Sequence, residues 1–463
     1  MYVCGPTVYD VPHIGHGRFS LIWDVLRRYL EWSGYDVHYV SNITDIEDKI
    51  IRRSIKTGVP TDEIVRTYEK AWWDAMDRLD VRHPDDEPHA TAYVEKMVDY
   101  IAGLVDAGKA YETSEGVYFD TAELEGYGLL ARQPLDSLRT GAGDRTVVGE
   151  EEKKSPLDFV LWKKAKPGEP EWPSPWGAGR PGWHIECTVM SLDLLGDGFD
   201  LHGGGNDLAF PHHENERAQA LGAGHAFARH WVHSGMVTDA GGEKMSKSVG
   251  NFVNLTDLLE QVDGRAYRLL VLQSHYRGPM QVTDATVERA VSTLSGLDAF
   301  GRRFAEISPS KALPEAVGKF VDFMDDDFNT PPAMALIFDL VREANKAADA
   351  DDRVVDGHSQ AATALALLEV LGLELRTNEV RLSRLITESA GGSDAVTGVV
   401  SHHTDTVLVR TAGISEEMFQ LASARELART AKDWAEADRL RDQLSDLGWL
   451  IEDTPDGPVL RLR

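Results

Sequence analysis

The sequence predicts an α/β protein built on a parallel sheet, with an insertion, followed by an α-helical bundle and a small C-terminal module. Three observations support this prediction. A strand–turn–helix–strand pattern opens the chain, a stretch rich in Pro, Gly and Trp interrupts the α/β pattern, and helical periodicity dominates after Asn251. A length of 463 residues also favours roughly two to four domains over a single core.

The opening pattern predicts the sheet. Residues 1–4 are expected to form a short strand that ends at the Gly5-Pro6 turn, and residues 37–43 a second strand. The helix between them is predicted over 16–33, with Gly34 at its C-terminal end. Its apolar residues recur at helical spacing: Ile22, Val25, Leu26, Tyr29 and Leu30. Such a βαβ unit predicts a Rossmann-like sheet that binds ligands at the carboxyl ends of its strands.

The rest of the chain divides by composition. A hairpin is predicted at residues 114–119, and a Pro/Gly/Trp-rich stretch covers 167–181 before the α/β pattern resumes at Trp183. Two later apolar stripes predict helices, one of them over 361–371. The other comprises Met334, Ile337, Phe338, Val341 and Ala344. A polar linker at 391–394 precedes the C-terminal module, expected from about Glu416.

Bulk composition limits the class of protein. Hydrophobic content of 42% with 27% charged residues is typical of a soluble globular chain, and no apolar run reaches the roughly 18 residues that a membrane span needs. The first residues do not resemble a signal peptide, so we expect a cytoplasmic protein whose two cysteines, Cys4 and Cys187, are not a disulfide. The net charge of −28 argues against binding a polyanion, although local basic patches can still do so.

The segment His13-Ile14-Gly15-His16 lies where the first turn meets the predicted helix. Free backbone N–H groups and the helix dipole favour phosphate oxygens at such a point. Two histidines there can donate hydrogen bonds to a phosphate, and Gly15 leaves room for a flat base. The alternative, that the histidines only cap the helix, has about equal weight for this motif alone.

A second basic motif lies far downstream. Lys244-Met245-Ser246-Lys247-Ser248 follows the pair Gly241-Gly242. Two lysines on a glycine-hinged loop can close over a triphosphate and stabilise the pyrophosphate leaving group. An ordinary solvated loop is the alternative, and the pairing with the upstream histidine motif weighs against it.

The two motifs, in this order, resemble those of class I aminoacyl-tRNA synthetases, and further segments resemble the cysteinyl-tRNA synthetase family. These are Cys4–Asp10, Asn42–Ile50, Gly182–Cys187, His202–Leu208, Pro211–Glu216, Met324–Pro331 and Lys432–Trp434. The resemblance implies an enzyme that activates L-cysteine with ATP and Mg²⁺ and loads it onto tRNA(Cys). It implies catalytic roles for His13, His16, Lys244 and Lys247, with Gly15, Asp207 and Lys247 binding ATP.

The chemistry of four residues also agrees with a Zn²⁺ site. Pro211 suits the first turn of a helix, on which His212 and Glu216 would share one face while His213 points elsewhere. Two thiols, an imidazole and a carboxylate are zinc donors. The family resemblance implies that Cys4, Cys187, His212 and Glu216 hold the ion and that the substrate thiol joins them. The alternative is two buried thiols beside a surface helix.

The resemblance further implies that Gly5, Thr44 and Trp183 line the cysteine pocket, although Trp183 could equally be a core aromatic. We expect a monomer that binds no membrane. The implied domains are the Rossmann-like catalytic domain in two halves, a connective insertion, a stem-contact region carrying the KMSKS loop, a helical tRNA-binding bundle, and a linker with an anticodon-binding module. Their predicted bounds are 1–111 and 181–240, 112–180, 241–300, 301–390, and 391–463.

Three competing functions remain open. The related ligase of mycothiol biosynthesis also activates cysteine but generally lacks the C-terminal module. A zinc hydrolase would need HExxH-type spacing, which the run from His212 to Glu216 does not have. A paralogue retained only for RNA binding would not need both basic motifs. Two departures from the family are a missing segment before Cys4, which suggests a truncated or misassigned start, and a long linker before the C-terminal module.

Overall fold

The computed structural model describes residues 1–131, 152–238, 254–305, 307, 312–350, 357–376, 379–381, 383–386, 406–409, 416–454 and 457–462. The predicted linker at 391–394 lies outside them. Internal contacts divide the chain into two units. The first comprises Met1–Val291, Pro314–Asp339 and Ala366–Leu373, and the second comprises Ser292–Leu313, Leu340–Leu365 and Glu374–Arg463.

The elements up to residue 281 belong to the first unit. In chain order they are β1 (Tyr2–Val3), α1 (Ile14–Trp32), β2 (Val40–Ser41), α2 (Asp48–Thr57), α3 (Thr61–Arg78), α4 (Val94–Asp106), β3 (Ala110–Thr113), β4 (Gly116–Phe119), β5 (Phe159–Lys164), β6 (Gly179–Pro181), α5 (Trp183–Leu195), β7 (Leu201–Gly205), α6 (Glu214–Gly222), β8 (His230–Ser234), β9 (Val237–Thr238), α7 (Leu255–Gln261), α8 (Gly264–Leu272) and β10 (Met280–Gln281).

A four-stranded parallel sheet in the order β2-β1-β7-β8 forms the centre of this unit. Tyr2 lies in register with Val40 on one side and with His202 on the other. The predicted Rossmann-like parallel sheet is therefore confirmed. The second strand is shorter than the predicted 37–43, because its partner β1 ends at Val3. A parallel bridge between Thr7 and Thr44 keeps the two segments adjacent beyond that point.

Helix α1 follows the predicted amphipathic pattern. Of its predicted stripe residues, Ile22, Val25, Leu26 and Tyr29 are buried and Leu30 is half-buried. The chain leaves the helix through Gly34, whose φ of +94° is a left-handed conformation that glycine adopts without strain. The helix begins at Ile14 rather than at the predicted His16, because the side chain of His13 caps it.

The insertion is an antiparallel sheet in the order β3-β4-β5-β6. The predicted hairpin is confirmed, with Tyr111 opposite Tyr118 and the turn at Ser114-Glu115. The α/β pattern resumes at Trp183, as predicted, with the first residue of α5. This sheet shares a hydrophobic core with α4, α5 and the central sheet.

The remaining elements are mostly helical. They are α9 (Asp284–Arg303), α10 (Pro314–Asp325), α11 (Thr330–Ala350), α12 (His358–Val370), β11 (Glu379–Arg381), β12 (Ser383–Ile386), β13 (Thr406–Val409), α13 (Glu416–Thr430), α14 (Trp434–Asp446), β14 (Trp449–Thr454) and β15 (Gly457–Leu462). Both predicted helical stripes are confirmed by α11 and α12, and Met334, Ile337 and Ala344 are buried. Within the described residues, no helix is both long and apolar enough to cross a membrane.

The C-terminal module is a helical hairpin followed by a β-hairpin. Helices α13 and α14 precede the antiparallel strands β14 and β15, and β11 pairs with the outer edge of β15. Its small core joins Ala422, Leu444, Ile451 and Leu460. Helix α13, the first helix of the module, begins at Glu416.

Candidate active site and metal centre

The ends of strands β1 and β7 bring together the side chains of the candidate metal centre. Cys4 follows β1 and donates its backbone N–H to the carbonyl of Gly203 on β7, at 3.1 Å. Cys187 projects from α5, His212 from the helical turn that leads directly into α6, and Glu216 from α6 itself. The structure thus assembles all four predicted ligands from three separate segments.

The four side chains point at one another. Their ligand atoms all lie within 4.8 Å of one another, and each residue is at most 5% exposed. His212 Nε2 lies 3.0 Å from Glu216 Oε1, one helical turn away, and the Cys4 thiol donates to the same oxygen at 3.6 Å. A tetrahedral zinc ion with its usual bond lengths would separate neighbouring donor atoms by about 3.3–3.8 Å. The spacing therefore suits one ion.

The surroundings of His212 and Glu216 agree with metal ligation. Despite its proximity to Glu216, Nε2 of His212 forms no hydrogen bond, whereas Nδ1 lies 2.8 Å from Nδ1 of His184. A ligating histidine typically holds its second nitrogen in this way. Burial raises the pKa of both the Cys4 thiol and the Glu216 carboxyl well above their ordinary values. A cation is what stabilises such groups as anions in an apolar setting.

A second overlapping donor set contains Cys4, His202, His213 and Glu216. Its histidines use their Nε2 atoms in hydrogen bonds, whereas Nε2 of His212 forms none. His202 Nε2 lies 2.7 Å from Glu216 Oε2, while His213 contacts Cys4 Sγ at 3.4 Å through Nε2 and His233 at 2.9 Å through Nδ1. We therefore assign His202 and His213 to an outer layer that orients the ligands. The expectation that His213 points away from the site is wrong.

The predicted cysteine pocket adjoins these ligands. Thr44 is 2% exposed, and its hydroxyl donates to Glu186 at 3.2 Å while accepting from the amide of Asn42 at the same distance. Gly5 donates its N–H to Asn42 Oδ1 at 3.0 Å. A Cβ on Gly5 would lie 1.6 Å from the carbonyl oxygen of Asn42, so only glycine fits there.

Trp183 is the exposed element of this pocket. Its ring is 36% exposed and stacks on His212 with centroids 4.1 Å apart and an interplanar angle of 21°. A plain core aromatic would be buried. Trp183 instead covers a predicted ligand on one face and meets solvent on the other.

The predicted phosphate site lies at the N-terminus of α1. His13 and His16 cap the helix reciprocally, since the Nδ1 atom of each accepts the backbone N–H of the other at 3.2 Å. Their rings stack 3.6 Å apart. Because each Nδ1 is an acceptor, the proton of each neutral ring is on Nε2, which is a donor. Burial, with His13 and Lys49, lowers the pKa of His16 to about 3. Capping and phosphate binding are therefore compatible.

The other residues predicted to bind ATP or to act in catalysis are Gly15, Asp207, Lys244 and Lys247. A Cβ on Gly15 would meet the His13 ring at 3.0 Å. Asp207 is exposed in a 3₁₀ turn at the carboxyl end of β7. Lys244 and Lys247 lie outside the described residues.

Sequence reasoning did not single out several residues that the structure places at the site. These are Asn42, His184, Glu186 and His202, of which the first three lie within two residues of a predicted site residue. Neighbourhood in the sequence could have suggested those three. The contact between His202 and Glu216 depends on the packing of β7 against α6, which has no local signal.

Comparison with known proteins agrees with this geometry. Residues 1–292 match the model of the class I (C) tRNA synthetase catalytic domain, residues 319–376 the DALR domain, and residues 411–459 the cysteinyl-tRNA ligase anticodon binding domain. The chain belongs to the cysteinyl-tRNA synthetase family. It is 45% identical to a cysteine–tRNA ligase of Chromobacterium violaceum and 44% identical to one of Pseudomonas paraeruginosa, covering 100% of this chain and 94% of each relative.

Solved structures show the fold of this class I aminoacyl-tRNA synthetase. A methionyl-tRNA synthetase of Mycobacterium tuberculosis in complex with methionyl-adenylate superposes with a TM-score of 0.56 at 18% identity, covering 80% of this chain and 89% of that chain. A second structure of that protein bound by methionyl-adenylate gives a TM-score of 0.57. Membership in this family and the match to the anticodon binding domain weigh against the zinc hydrolase and the mycothiol ligase.

Proposed function

We propose that this chain activates L-cysteine with ATP and transfers it to the 3′ end of tRNA(Cys). The observation that carries the proposal is the convergence of Cys4, Cys187, His212 and Glu216 at the carboxyl ends of β1 and β7. A hydrolase or a nucleotide-binding protein would not need this donor set beside a phosphate-binding helix start. Family membership and the anticodon-domain match support the tRNA half of the reaction.

In the first half-reaction the carboxylate of cysteine attacks the α-phosphate of ATP, which is held with Mg²⁺. The Nε2–H groups of His13 and His16 would donate to the phosphate oxygens as their charge grows. Asp207 would accept hydrogen bonds from the ribose, and Gly15 would let the base approach the backbone. Lys244 and Lys247 would stabilise the pyrophosphate leaving group.

The amino acid would be recognised by its thiol. Zn²⁺ held by Cys4, Cys187, His212 and Glu216 would supply a soft Lewis acid that prefers a thiolate to a hydroxyl. Thr44 and Gly5 would hold the polar end of the substrate, and Trp183 would cover it. Serine differs from cysteine by one atom, which pocket shape alone discriminates poorly.

The second half-reaction requires a tRNA-binding architecture. We propose the domain bounds given above, with 241–300 contacting the acceptor stem, 301–390 the tRNA body and 391–463 the anticodon. Trp434, which is 59% exposed at the start of α14, is available to stack on an unpaired base. We further propose a cytoplasmic monomer.

Two assays on one preparation test the proposal. Cysteine-dependent exchange of pyrophosphate into ATP measures adenylate formation, and loading of a tRNA(Cys) transcript measures transfer. A chain that ends at Gly391 should retain exchange and lose charging, because the adenylate site lies upstream. A full-length chain with no cysteine-dependent exchange, or one that loads cysteine onto a sugar amine but not onto tRNA, would contradict the proposal.

A further inference from the structure

Two neighbouring helices of the first unit carry opposite charge. Helix α2 contains one acidic and four basic residues, whereas α3, joined to it by three residues, contains five acidic and three basic residues. The whole chain has a net charge of −28. A helix with a positive balance is therefore a local exception in an acidic protein, and local patches are what a polyanion experiences at short range.

The positive charges of α2 lie on one face. Lys49, Arg52, Arg53 and Lys56 are spaced i, i+3, i+4 and i+7, which places them in a single row about 10 Å long. We call these four residues the basic stripe. The opposite face carries Ile50 and Ile51, which are buried, so the stripe is turned outward. Three of its four members are exposed and Arg53 is half-buried.

Nearby carboxylates neutralise the charges of the basic stripe less than they neutralise those of the basic residues on α3. On α3, Lys70 Nζ lies 2.6 Å from both carboxylate oxygens of Asp74, and Arg66 pairs with Asp62 at 3.3 Å. On α2, Arg52 reaches Asp48 only at 3.7 Å. That carboxylate is already bound to Lys163 and Arg180 of the insertion.

The outer end of the stripe has still fewer partners. Among the described residues, Lys56 forms no ion pair, although it is exposed. Arg53, by contrast, is engaged with Asp10 at 3.3 Å and with the hydroxyl of Tyr68. Arg52, whose ion pair is long, and Lys56 are therefore two exposed stripe residues with positive charge to offer a ligand.

The stripe begins next to the candidate active site. Lys49 Nζ lies 5.3 Å from the centre of the Tyr9 ring. The segment that carries Tyr9 is tied to the cysteine pocket, because Val8 donates its N–H to the carbonyl of Thr44 at 3.4 Å. Glu47, three residues after Thr44, caps the N-terminus of α2. The row of charges therefore runs outward from the pocket that must receive the 3′ end of an RNA.

We propose that the basic stripe binds backbone phosphates next to the 3′ end of tRNA and guides that end into the active site. This inference rests on the proposed function, which requires an RNA terminus to reach the amino acid. Lys and Arg side chains supply the main sequence-independent attraction for nucleic-acid phosphates, through release of bound counterions. Tyr9, beside Lys49, offers a ring for an unpaired base at the end of the row.

A pair of double variants with the same change in net charge tests the proposal. Arg52→Gln with Lys56→Gln removes two stripe charges, and Arg66→Gln with Lys70→Gln removes two charges from α3. Filter binding over a salt series would measure the Kd of tRNA(Cys) and of a minihelix containing only its acceptor stem and 3′ end. We expect the stripe variant to bind both RNAs about tenfold more weakly at low salt.

The salt dependence and the conservative exchange sharpen this test. The log–log salt slope of the stripe variant should become shallower by about one for each lost phosphate contact. The α3 variant should match the wild type, and Arg52→Lys with Lys56→Arg should restore binding because it retains the charges. Cysteine-dependent pyrophosphate exchange, which involves no tRNA, should persist in all variants and shows that they fold.

Three outcomes would overturn the stripe assignment. If both Gln variants weakened RNA binding equally, only the overall electrostatic field of the protein would matter. If the stripe variant lost tRNA binding but bound the minihelix normally, the contact would lie away from the 3′ end. If it bound both RNAs normally, the stripe would be an ordinary solvent-exposed surface that binds no RNA. A wild-type chain that forms no cysteinyl-tRNA would instead refute the proposed function, so the two failures are distinguishable.

Discussion

The metal centre and the helix start at His13 and His16 are two histidine-containing sites of one unit, and they are built in opposite ways. The four residues of the candidate metal centre are at most 5% exposed and come from three segments that are up to 212 residues apart. The helix start joins two residues three positions apart, and their contacts are a reciprocal cap and a stacked ring pair. One site depends on the folded core, whereas the other is almost complete within a single turn.

This difference determines what a substitution does. A change in the metal centre leaves a buried polar group without its partner, which costs about 1–3 kcal/mol or more for a charged group. A change at the helix start weakens a helix cap, which stabilises the fold by about 1 kcal/mol. Its other effect is to remove a contact with the bound ligand. Substitutions in the metal centre should therefore alter metal content and selectivity, and those at the helix start should alter rate.

The largest expected effect separates the two overlapping donor sets. His212→Ala should lose most of its bound zinc, because the site then has three protein ligands and an unfilled cavity. His213→Gln should retain one zinc per chain with an affinity about 10–100-fold lower, as expected for an outer partner. Elemental analysis and competition with a chelator measure both. Retained zinc in His212→Ala together with lost zinc in His213→Gln would favour the second donor set.

The sequence predicted the ligand types better than their surroundings. Cys4, Cys187, His212 and Glu216 were recognised from zinc chemistry and family resemblance, and the structure brings them together. The outer layer could not be predicted, because its contacts depend on the register of β7 and the packing of α6. The wrong expectation for His213 has the same origin: helical spacing places His213 off the face shared by His212 and Glu216, but Cys4, which His213 contacts, belongs to a distant segment.

The fold shows a similar limit. Apolar spacing predicted α1, α11 and α12, because a buried stripe on a helix is a local pattern. The length of β2 was overestimated since it depends on how far its partner β1 extends. The start of α1 was placed two residues late because the cap is made by histidine, which is not among the preferred capping residues.

A second prediction concerns the helix start. His16→Ala should slow adenylate formation by roughly 10²–10³, the usual effect of removing one donor from a preorganised anion site. Zinc content should not change. His13→Asn should keep the helix cap and lose the Nε2 donor, so its rate should fall while its thermal unfolding temperature stays near that of the wild type. Single-turnover formation of adenylate measures the rate, and a normal rate in both variants would reduce the motif to a cap.

A third prediction concerns Thr44 in the predicted cysteine pocket. Thr44→Val removes the hydroxyl that connects Glu186 and Asn42 while keeping the size of the side chain. The KM for cysteine should rise about tenfold, in line with the loss of one buried hydrogen bond, and zinc should remain bound. Thr44→Ser should behave almost like the wild type. An unchanged KM in Thr44→Val would remove Thr44 from the cysteine pocket.

The smallest expected effect is on stability and lies outside both sites. Burial and the nearby Glu69 carboxylate raise the pKa of Glu87 to about 7. Between about pH 4.5 and 7, Glu87 is therefore protonated in the folded chain and ionised in the unfolded chain. Protonated Glu87 stabilises the fold at low pH, and this contribution is lost as the pH rises through about 7.

Glu87→Gln should remove that dependence. The free energy of unfolding of the variant minus that of the wild type should be larger at pH 8 than at pH 5. The increase should be about 1 kcal/mol or less, because the carboxyl is partly exposed to solvent. Urea unfolding at the two pH values measures the difference. Glu69→Gln should weaken the wild-type pH dependence, and an identical difference at both pH values would contradict the assignment.

The central claim is that the metal centre selects cysteine by its thiol, and one comparison tests it most directly. Pyrophosphate exchange with cysteine and with serine would be measured alongside zinc content, for the wild type and for Cys187→Ser. The wild type should prefer cysteine by roughly 10⁴–10⁵, whereas the variant should lose zinc, activate cysteine poorly and retain only weak discrimination. A zinc-free variant that still activates cysteine normally and rejects serine as strongly as the wild type would show that the metal is structural and that selection lies elsewhere.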